Sequence, residues 1–372
     1  MAKFEVVPAE GKLLKKFLRL PWKIYAKDAN WVPPLLGTLK PFFTGVHPFL
    51  QHGEILPYVA LNQRGVCVGR IAAVINQNHT RIHNDRTGFF GFFECVDDAE
   101  VAGALLAQAA EAVRKRGCLS IIGPSSPTTN DECAMLVDGF DSPPTFMMPY
   151  NPPYYSRLLE ASGFAKVKDI VSYIIYDTTQ LPPKLFKVAE MARKKAELTI
   201  RPVKMSRLQE ELLKVKEIYN AAWEKNWGFV PMTEAEIDYM AKELKKILRP
   251  ELVLIAEGQS EPAGFSLTVP DIYQALIYVR SGKLFPFGFL KFLLNQKKIR
   301  RVRVMAMGVK ERFRVRGIDA VFYAETFQRG KELGYKEGEL GWVLEDNLIM
   351  RQTIESIGGR LFKTYRFYIK SL

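Results

Sequence analysis

Short runs rich in β-branched and aromatic residues recur early in the chain, and residues 55–62, 66–75 and 88–95 each predict a strand. A different rhythm comes next. Between residues 99 and 116 Ala and Leu recur at helical spacing, with Asp97 or Asp98 ahead as N-cap and Gly117 behind as the stop. Leu119-Ser-Ile-Ile-Gly-Pro124 predicts the next strand, and the polar stretch from Ser125 to Glu132 predicts a loop. Upstream, residues 11–27 read as a short basic amphipathic helix stopped near Pro21. Pro182-Pro183 and a helix carrying Lys184, Lys187, Arg193, Lys194 and Lys195 predict a linker over 181–197. Beyond it come a strand at 198–202, helices at about 206–223 and 234–247, and strands at 252–257, 262–269 and 273–280. A strand at 302–308, a Gly-containing turn at 313–318, a helix to Gly334, a strand at 337–344 and a last helix and strand complete the order. Mixed central sheets flanked by helices are the economical α/β fold for such a string, in two domains spanning 1–180 and 198–372.

The chain's end repeats its middle. An offset of 195 residues maps Glu160 on Glu355, Gly163 on Gly358, Lys168 on Lys363, Tyr173 on Tyr368 and Ile174 on Ile369. At both places an Asn (Asn151, Asn347) is expected to open a helix, a Gly ends it and a strand comes after. A helix–Gly–strand unit occurring twice predicts two copies of one fold.

Composition narrows the class. The 372 residues are 48% hydrophobic and 25% charged, as in soluble globular proteins. Cys67, Cys95, Cys118 and Cys133 lie far apart, without zinc spacing, and are expected as reduced thiols of a cytoplasmic protein. The N-terminus lacks the apolar core of a signal peptide, and no apolar run approaches 18 residues. Through residue 180 there are 18 basic against 17 acidic side chains, leaving 35 against 23 for the remainder. The second half therefore carries the basic excess and implies an anionic partner: a phosphate-bearing cofactor, an acidic carrier protein, an anionic membrane or RNA.

Candidate chemistry falls in a few places. A strand, a basic turn and a helix succeed one another around Arg314, Arg316 and Gly317, and the amides at such a helix start favour an anion. Alternation along 337–344 places Glu337, Glu339 and Gly341 on one face of a strand, and Glu339 and Glu345 are candidate proton acceptors. Asn130, Glu132, Tyr150, Asn151 and Tyr154 are polar positions in apolar surroundings and candidate substrate contacts. His79 and His83 share helical spacing, but no His-Glu-x-x-His pattern and no nearby cysteine accompanies them, so no metal is expected. From Lys283 to Arg303, Phe and Leu crowd beside Lys291, Lys297, Lys298, Arg300 and Arg301, a composition suited to a membrane interface, a long acyl chain or an acidic carrier protein.

The order of elements, together with Val302-Arg-Val-Met-Ala-Met-Gly-Val-Lys-Glu-Arg-Phe-Arg314-Val-Arg316-Gly317-Ile318-Asp319-Ala320 and Glu339-Leu-Gly-Trp-Val-Leu-Glu345-Asp-Asn347, resembles the GNAT superfamily of acyl-CoA N-acyltransferases. The resemblance covers most of 198–372 and, more weakly, 55–176, so the whole resembles a tandem, double-GNAT protein of a mostly uncharacterised bacterial group. In the first half it rests on Gly69-Arg70-Ile-Ala, Gly88-Phe-Phe-Gly-Phe-Phe-Glu94, Gly123-Pro124, Asn130-Asp-Glu132, Asp138-Gly-Phe-Asp141 and Asn151-Pro-Pro-Tyr-Tyr155. It implies an acyl-CoA or acetyl-CoA donor held by Arg314, Arg316, Gly317, Ile318, Ala320 and Asn347, and a catalytic set drawn from Glu339, Glu345 and Tyr368. Two departures stand out: Asp319 occupies the third key position of the pyrophosphate loop, and the final-helix tyrosine of many members would fall at about Ile354. The implied activity is acyl transfer from a CoA or carrier-protein thioester to a primary amine. The favoured acceptor is a lipid amine, because the chain is also similar to bacterial ceramide-forming acyltransferases. The expected location is cytoplasmic, with peripheral contact at an anionic inner membrane face. A Fem-like transferase using aminoacyl-tRNA and a non-catalytic GNAT-fold binding protein are the alternatives.

Overall fold

The computed structural model describes residues 3–195, 198–258, 261–314 and 316–372. Ala196 and Glu197 of the linker and Val315 of the basic turn lie outside the described residues. In chain order the elements are β1 (Phe4–Pro8), α1 (Lys12–Arg19), α2 (Pro21–Ile24), α3 (Leu36–Leu39), β2 (Gly53–Asn62), β3 (Cys67–Asn76), α4 (Gln77–His83), β4 (Thr87–Cys95), α5 (Ala99–Arg114), β5 (Ser120–Gly123), β6 (Ser125–Ser126), β7 (Glu132–Cys133), β8 (Met135–Asp138), α6 (Tyr155–Ala161) and β9 (Ala165–Tyr176). They continue with α7 (Pro183–Lys195), β10 (Leu198–Pro202), α8 (Leu208–Trp223), α9 (Glu234–Leu244), β11 (Val253–Gly258), β12 (Glu261–Pro270), α10 (Tyr273–Leu276), α11 (Gly288–Gln296), β13 (Arg301–Val309), α12 (Ile318–Glu332), β14 (Glu337–Leu344), α13 (Leu348–Ser356) and β15 (Arg360–Ser371).

These elements gather into two compact units. The first holds Met1–Ile170, Ala275–Leu294 and Lys363–Leu372; the second holds Val171–Gln274 and Asn295–Phe362. Chain order alone suggested a division into 1–180, 181–197 and 198–372, but a strand belongs to the sheet that bonds its backbone. The closing residues of β15 therefore count with the first unit, where Tyr368 pairs with Gly123 and Ser371 with Ser120.

In the first unit β1 to β4 are antiparallel neighbours, β4 and β5 are parallel, and β15 comes beside β5. Helix α5 buries Val101, Leu105 and Ala109, with Ala102, Leu106 and Val113, against Ile71, Ala73 and Phe90 of the sheet. Such i, i+4 spacing lines one face of a helix. The glycines that carried the resemblance serve this packing. A Cβ at Gly69 would stand 2.5 Å from Leu105, and one at Gly88 would meet Val113 at 2.5 Å. Asp98 caps α5, as the sequence implied, accepting the Glu100 and Val101 N–H groups at 2.9 and 3.2 Å.

The second unit repeats the scheme. Strands β10 to β13 are antiparallel neighbours, β13 and β14 are parallel, and β9 from the first half of the chain lies beside β14. Helix α12 takes the place of α5. Its Val321 and Tyr323 pack with Leu340 and Val343 of β14 and with Leu185, Ala189 and Ala192 of α7, while Ile318 and Phe322 join Leu254 and Phe313.

Two sequence expectations need correction. Residues 273–280 were read as a strand, but Asp271 ends β12: its carboxylate accepts the Tyr273 N–H at 3.2 Å and its carbonyl the Gln274 N–H, which starts the short helix α10. Asn151 does not open α6, which begins at Tyr155; its buried amide accepts from the Leu136 N–H and donates to the Leu136 and Pro152 carbonyls, tying β8 to the turn before the helix. Asn347 does cap α13, accepting the Met350 N–H at 3.2 Å.

Candidate active site

Parallel pairing of β13 with β14 runs only from Arg301 opposite Glu337 to Val304 opposite Leu340. The strands themselves continue to Val309 and Leu344. A bulge helps them part, because the register of β13 on β12 shifts between Val304 and Ala306. Parallel strands point their C-terminal ends the same way, so the loop 310–317 and the start of α12 lie at the same end of the sheet as Glu345 to Asn347.

One position before the pairing ends, Arg303 and Glu339 face each other. Glu339 is fully buried and Arg303 nearly so, with Nε 3.3 Å from the carboxylate. Outside this pair, a second, part-buried pairing, Arg301 with the buried Asp271 and with Glu337, holds the beginning of the same strands.

The basic loop is built from within. Lys310 is buried against Glu217, and Phe313 is buried between the guanidinium groups of Arg312 and Arg316, 5.1 and 5.3 Å from its ring. Arg314 folds back, donating to the Val309 carbonyl at 3.2 Å and the Ala222 carbonyl at 3.0 Å. That guanidinium closes the loop, and Arg316 is exposed directly beside the helix start. Gly317 takes φ 78°, a left-handed value, and as the N-cap of α12 offers the first turn no side-chain hydrogen bond of its own. A Cβ there would lie 3.0 Å from Val188 and 3.2 Å from Ala192, so the glycine also lets α7 approach. Ile318 and Ala320 are buried and Asp319 is exposed. The matching helix of the first unit differs: the Asp98 carboxylate already occupies its first-turn amides. An anion would meet a carboxylate there, whereas the N-cap of α12 is a glycine with no side chain to occupy that place.

Glu345 is half-buried just after β14, and its carbonyl accepts from Arg351 at 3.0 Å. Ile354, the position expected for a tyrosine acid, is fully buried in the core. A tyrosine hydroxyl nevertheless reaches that helix from a strand. Tyr173 donates to Glu355 at 2.9 Å and accepts from Arg351 at 3.0 Å, and burial pushes its hydroxyl pKa up. Tyr368 makes the counterpart bond in the first unit, to Glu160 at 3.1 Å, from within the core. The structure thus keeps Glu339 and Glu345 on one strand and its exit, and assigns Tyr368 to the other compact unit.

The five candidate substrate contacts all fall in the first unit and hold varied posts. Asn151 is the internal tie already described. Tyr154 donates to the Cys95 carbonyl at 2.8 Å, and Tyr150 to Asp28 at 2.9 Å. Glu132 is exposed on the two-residue strand β7, and Asn130 is half-buried in the loop before it, its N–H on Thr128.

Close to Tyr154 lies a constellation that the sequence pattern did not single out. Glu94 accepts hydrogen bonds from Tyr25 at 2.8 Å and Tyr155 at 2.7 Å, and lies 3.5 Å from Arg70, its register partner on β3. Burial raises the Glu94 carboxyl pKa, partly opposed by Arg70 and the two hydroxyls. The available signal was a charge inside an apolar strand, at Arg70 and Glu94 as at Arg303 and Glu339. An apolar cavity of about 60 Å³ in the second unit, between Val302, Val304 and Leu340 of the sheet and Tyr323, Phe327 and Lys331 of α12, lies toward the far end of α12 from Gly317. It is therefore separate from the Gly317 end of that helix.

No protein-family model matches the chain. A bacterial ceramide synthase of Caulobacter vibrioides (strain NA1000 / CB15N) is 36% identical over 379 residues, which cover 98% of this chain and 96% of that protein. The Escherichia coli (strain K12) protein YghO is 34% identical over 369 residues, covering 96% and 93%. Among solved structures, a tandem GNAT protein from the clavulanic acid biosynthesis pathway superposes with a TM-score of 0.56 at 13% identity, covering 99% of this chain and 98% of that one. The chain belongs to the family of these two relatives, the Caulobacter ceramide synthase and YghO. Its fold is that of a tandem GNAT protein, and the parted strands of the second unit fall where the sequence placed the GNAT-like segment.

Proposed function

We propose that this double-GNAT protein is an N-acyltransferase that moves an acyl group from a CoA or carrier-protein thioester to the primary amine of a long-chain lipid, a sphingoid-type base. The observation that carries the reading is the parting of β13 and β14 directly before a helix start whose N-cap is a glycine. The relative that bears the name ceramide synthase supports the acceptor class.

In this reaction the amine nitrogen attacks the thioester carbonyl carbon, the C–S bond breaks, the thiolate leaves and the amine loses a proton. The donor's phosphates would meet Arg316 and the amides of Ile318 to Ala320, where cation and helix dipole add. Gly317 keeps that approach free of a side chain, and Asn347 frames the opposite rim by holding the start of α13. Glu345, half-buried at the open end, would take the amine proton directly or through a water. Glu339 is sealed against Arg303 and would fix the strands' geometry rather than touch substrate.

The test is product analysis by mass spectrometry with CoA and carrier-protein thioesters from acetyl to long-chain and a sphingoid amine. An N-acyl amide is expected. Arg316→Glu should act mainly on KM for the donor, and Glu345→Gln should lower kcat by about 10²–10⁴-fold. Absence of amide product across all chain lengths and both carriers would overturn the reading.

A further inference from the structure

Six large apolar side chains stand exposed within ten consecutive residues. Phe285 is 76% exposed, Phe287 72% and Leu294 69%, with Phe289, Leu290 and Leu293 between 44 and 56%. At about 200 Å² per side chain this is on the order of 700 Å² of apolar surface, above the roughly 300–600 Å² of the largest patch on an ordinary monomer. Along α11, Phe289, Leu290, Leu293 and Leu294 share one arc, and Gly288, Phe292 and Asn295 share the opposite, less exposed arc. A helix apolar on both sides needs a partner on its open face.

The segment is held at its base. Trp22 donates to the Arg280 carbonyl at 2.7 Å, Arg19 to the Ser281 carbonyl at 3.0 Å, and the Leu36 N–H to the Gly282 carbonyl at 2.9 Å. Arg280 answers by donating to the Trp31 and Asp28 carbonyls. These bonds join two stretches without a single Asp or Glu, residues 11–27 and 272–310. Lys12, Lys15, Lys23 and Lys27 are exposed on the first, and Lys283 beside the apolar tip on the second.

We propose that residues 284–294, with the basic α1–α2 run that anchors them, form the docking surface for an anionic lipid bilayer. The Phe and Leu side chains enter the headgroup–acyl boundary while the lysines meet lipid phosphates. Charge decides against a second copy of this chain, because a two-fold contact would bring the same acid-free lysine-bearing surfaces together. This inference stands on the surface alone and does not require the acyl-transfer reading.

The experiment is co-sedimentation of the full chain with vesicles of phosphatidylcholine alone or mixed equally with phosphatidylglycerol, at low and high salt. Binding is expected to the anionic vesicles, weakening as salt rises. Phe285→Ser/Phe287→Ser/Leu294→Ser should bind at least about 10-fold more weakly with an unchanged melting curve. Lys23→Glu/Lys283→Glu, which leaves every apolar side chain in place, should lose about fivefold or more per lysine. The proposal fails if the wild-type chain ignores anionic vesicles at low salt, if it binds neutral vesicles equally well, or if either variant binds as the wild type does. It also fails if the apolar variant's defect is instead in self-association or in binding an acyl carrier protein, with vesicle binding intact.

Discussion

A carboxylate as deeply buried as Glu339 keeps its charge only with a cation against it, and Arg303 on the adjacent strand supplies one. Arg303→Met strips that cation away and should cost about 3–5 kcal/mol in urea unfolding. Arg303→Met/Glu339→Leu removes both charges together and should recover most of the loss, because two apolar groups of similar size satisfy a buried site. If the double variant is as unstable as the single, the pair is held by more than mutual neutralisation. Gly317 makes a different point. Its φ of 78° and the 3.0 Å approach of Val188 both resist a side chain. Gly317→Ala should cost about 1–2 kcal/mol from the backbone alone and lower the melting temperature. On the proposed function it should also raise KM for the donor more than it lowers kcat.

Most elements were legible because their signal is local. The cap of α5 at Asp98, the β14 run from Glu337 to Leu344 and the Gly317 turn before α12 each rest on a few neighbouring residues. Of the failures, one has a cause distant in sequence and the other a side-chain turn that composition does not reveal. Asn151 looked like a helix cap but is claimed by Leu136, fifteen residues away, and residues 273–280 had strand composition but come after an aspartate that turns the chain. Within the candidate site, Glu339 was found from alternation along its strand, whereas Arg303 and the Glu94–Tyr25–Tyr155 cluster depend on cross-strand register and on partners up to 69 residues apart. Strand pairing also carries a pH signature. In the first unit burial works against the charge of Asp169, but Arg366 at 2.9 and 3.0 Å and Lys166 more than offset it, holding the carboxyl below its ordinary range. A depressed carboxyl pKa gives stability that is full above the unfolded value near 4 and is lost as pH falls through the lower folded value. Asp169→Asn should therefore be less stable than the wild type at pH 7, and the gap should close as urea midpoints are tracked downward from pH 4.

Across the whole chain, the repeat at an offset of 195 residues takes on a physical meaning. Glu160 and Glu355 are repeat partners, as are Tyr173 and Tyr368, yet the hydrogen bonds join Tyr368 to Glu160 and Tyr173 to Glu355. Each copy's helix thus receives the closing tyrosine from the other copy's strand. Sequence similarity could reveal that the copies exist, but not this exchange, because the residues of both strands are equally good β-formers in either sheet. The exchange makes the first unit depend on the end of the chain. Residues 363–372 contribute the fully buried Tyr368 and the buried Lys363, whose ammonium donates to the Gly139 and Ser142 carbonyls, and they pair with β5 from Gly123 to Ser120. Removing them uncovers β5, opens the core around Phe90, Leu158 and Tyr368, and leaves the Asp169 carboxylate without Arg366. A chain truncated after Phe362 should consequently lose the structure of its first 170 residues, although none of those residues has changed. Limited proteolysis read by mass spectrometry checks this: new cleavages should concentrate within 1–170, whereas Tyr368→Phe, which removes one hydroxyl, should cost only about 1 kcal/mol and leave the digestion pattern unaltered. Protection of 1–170 in the truncated chain would mean that the first unit folds on its own four-strand antiparallel sheet and α5, with β15 only an addition at its edge.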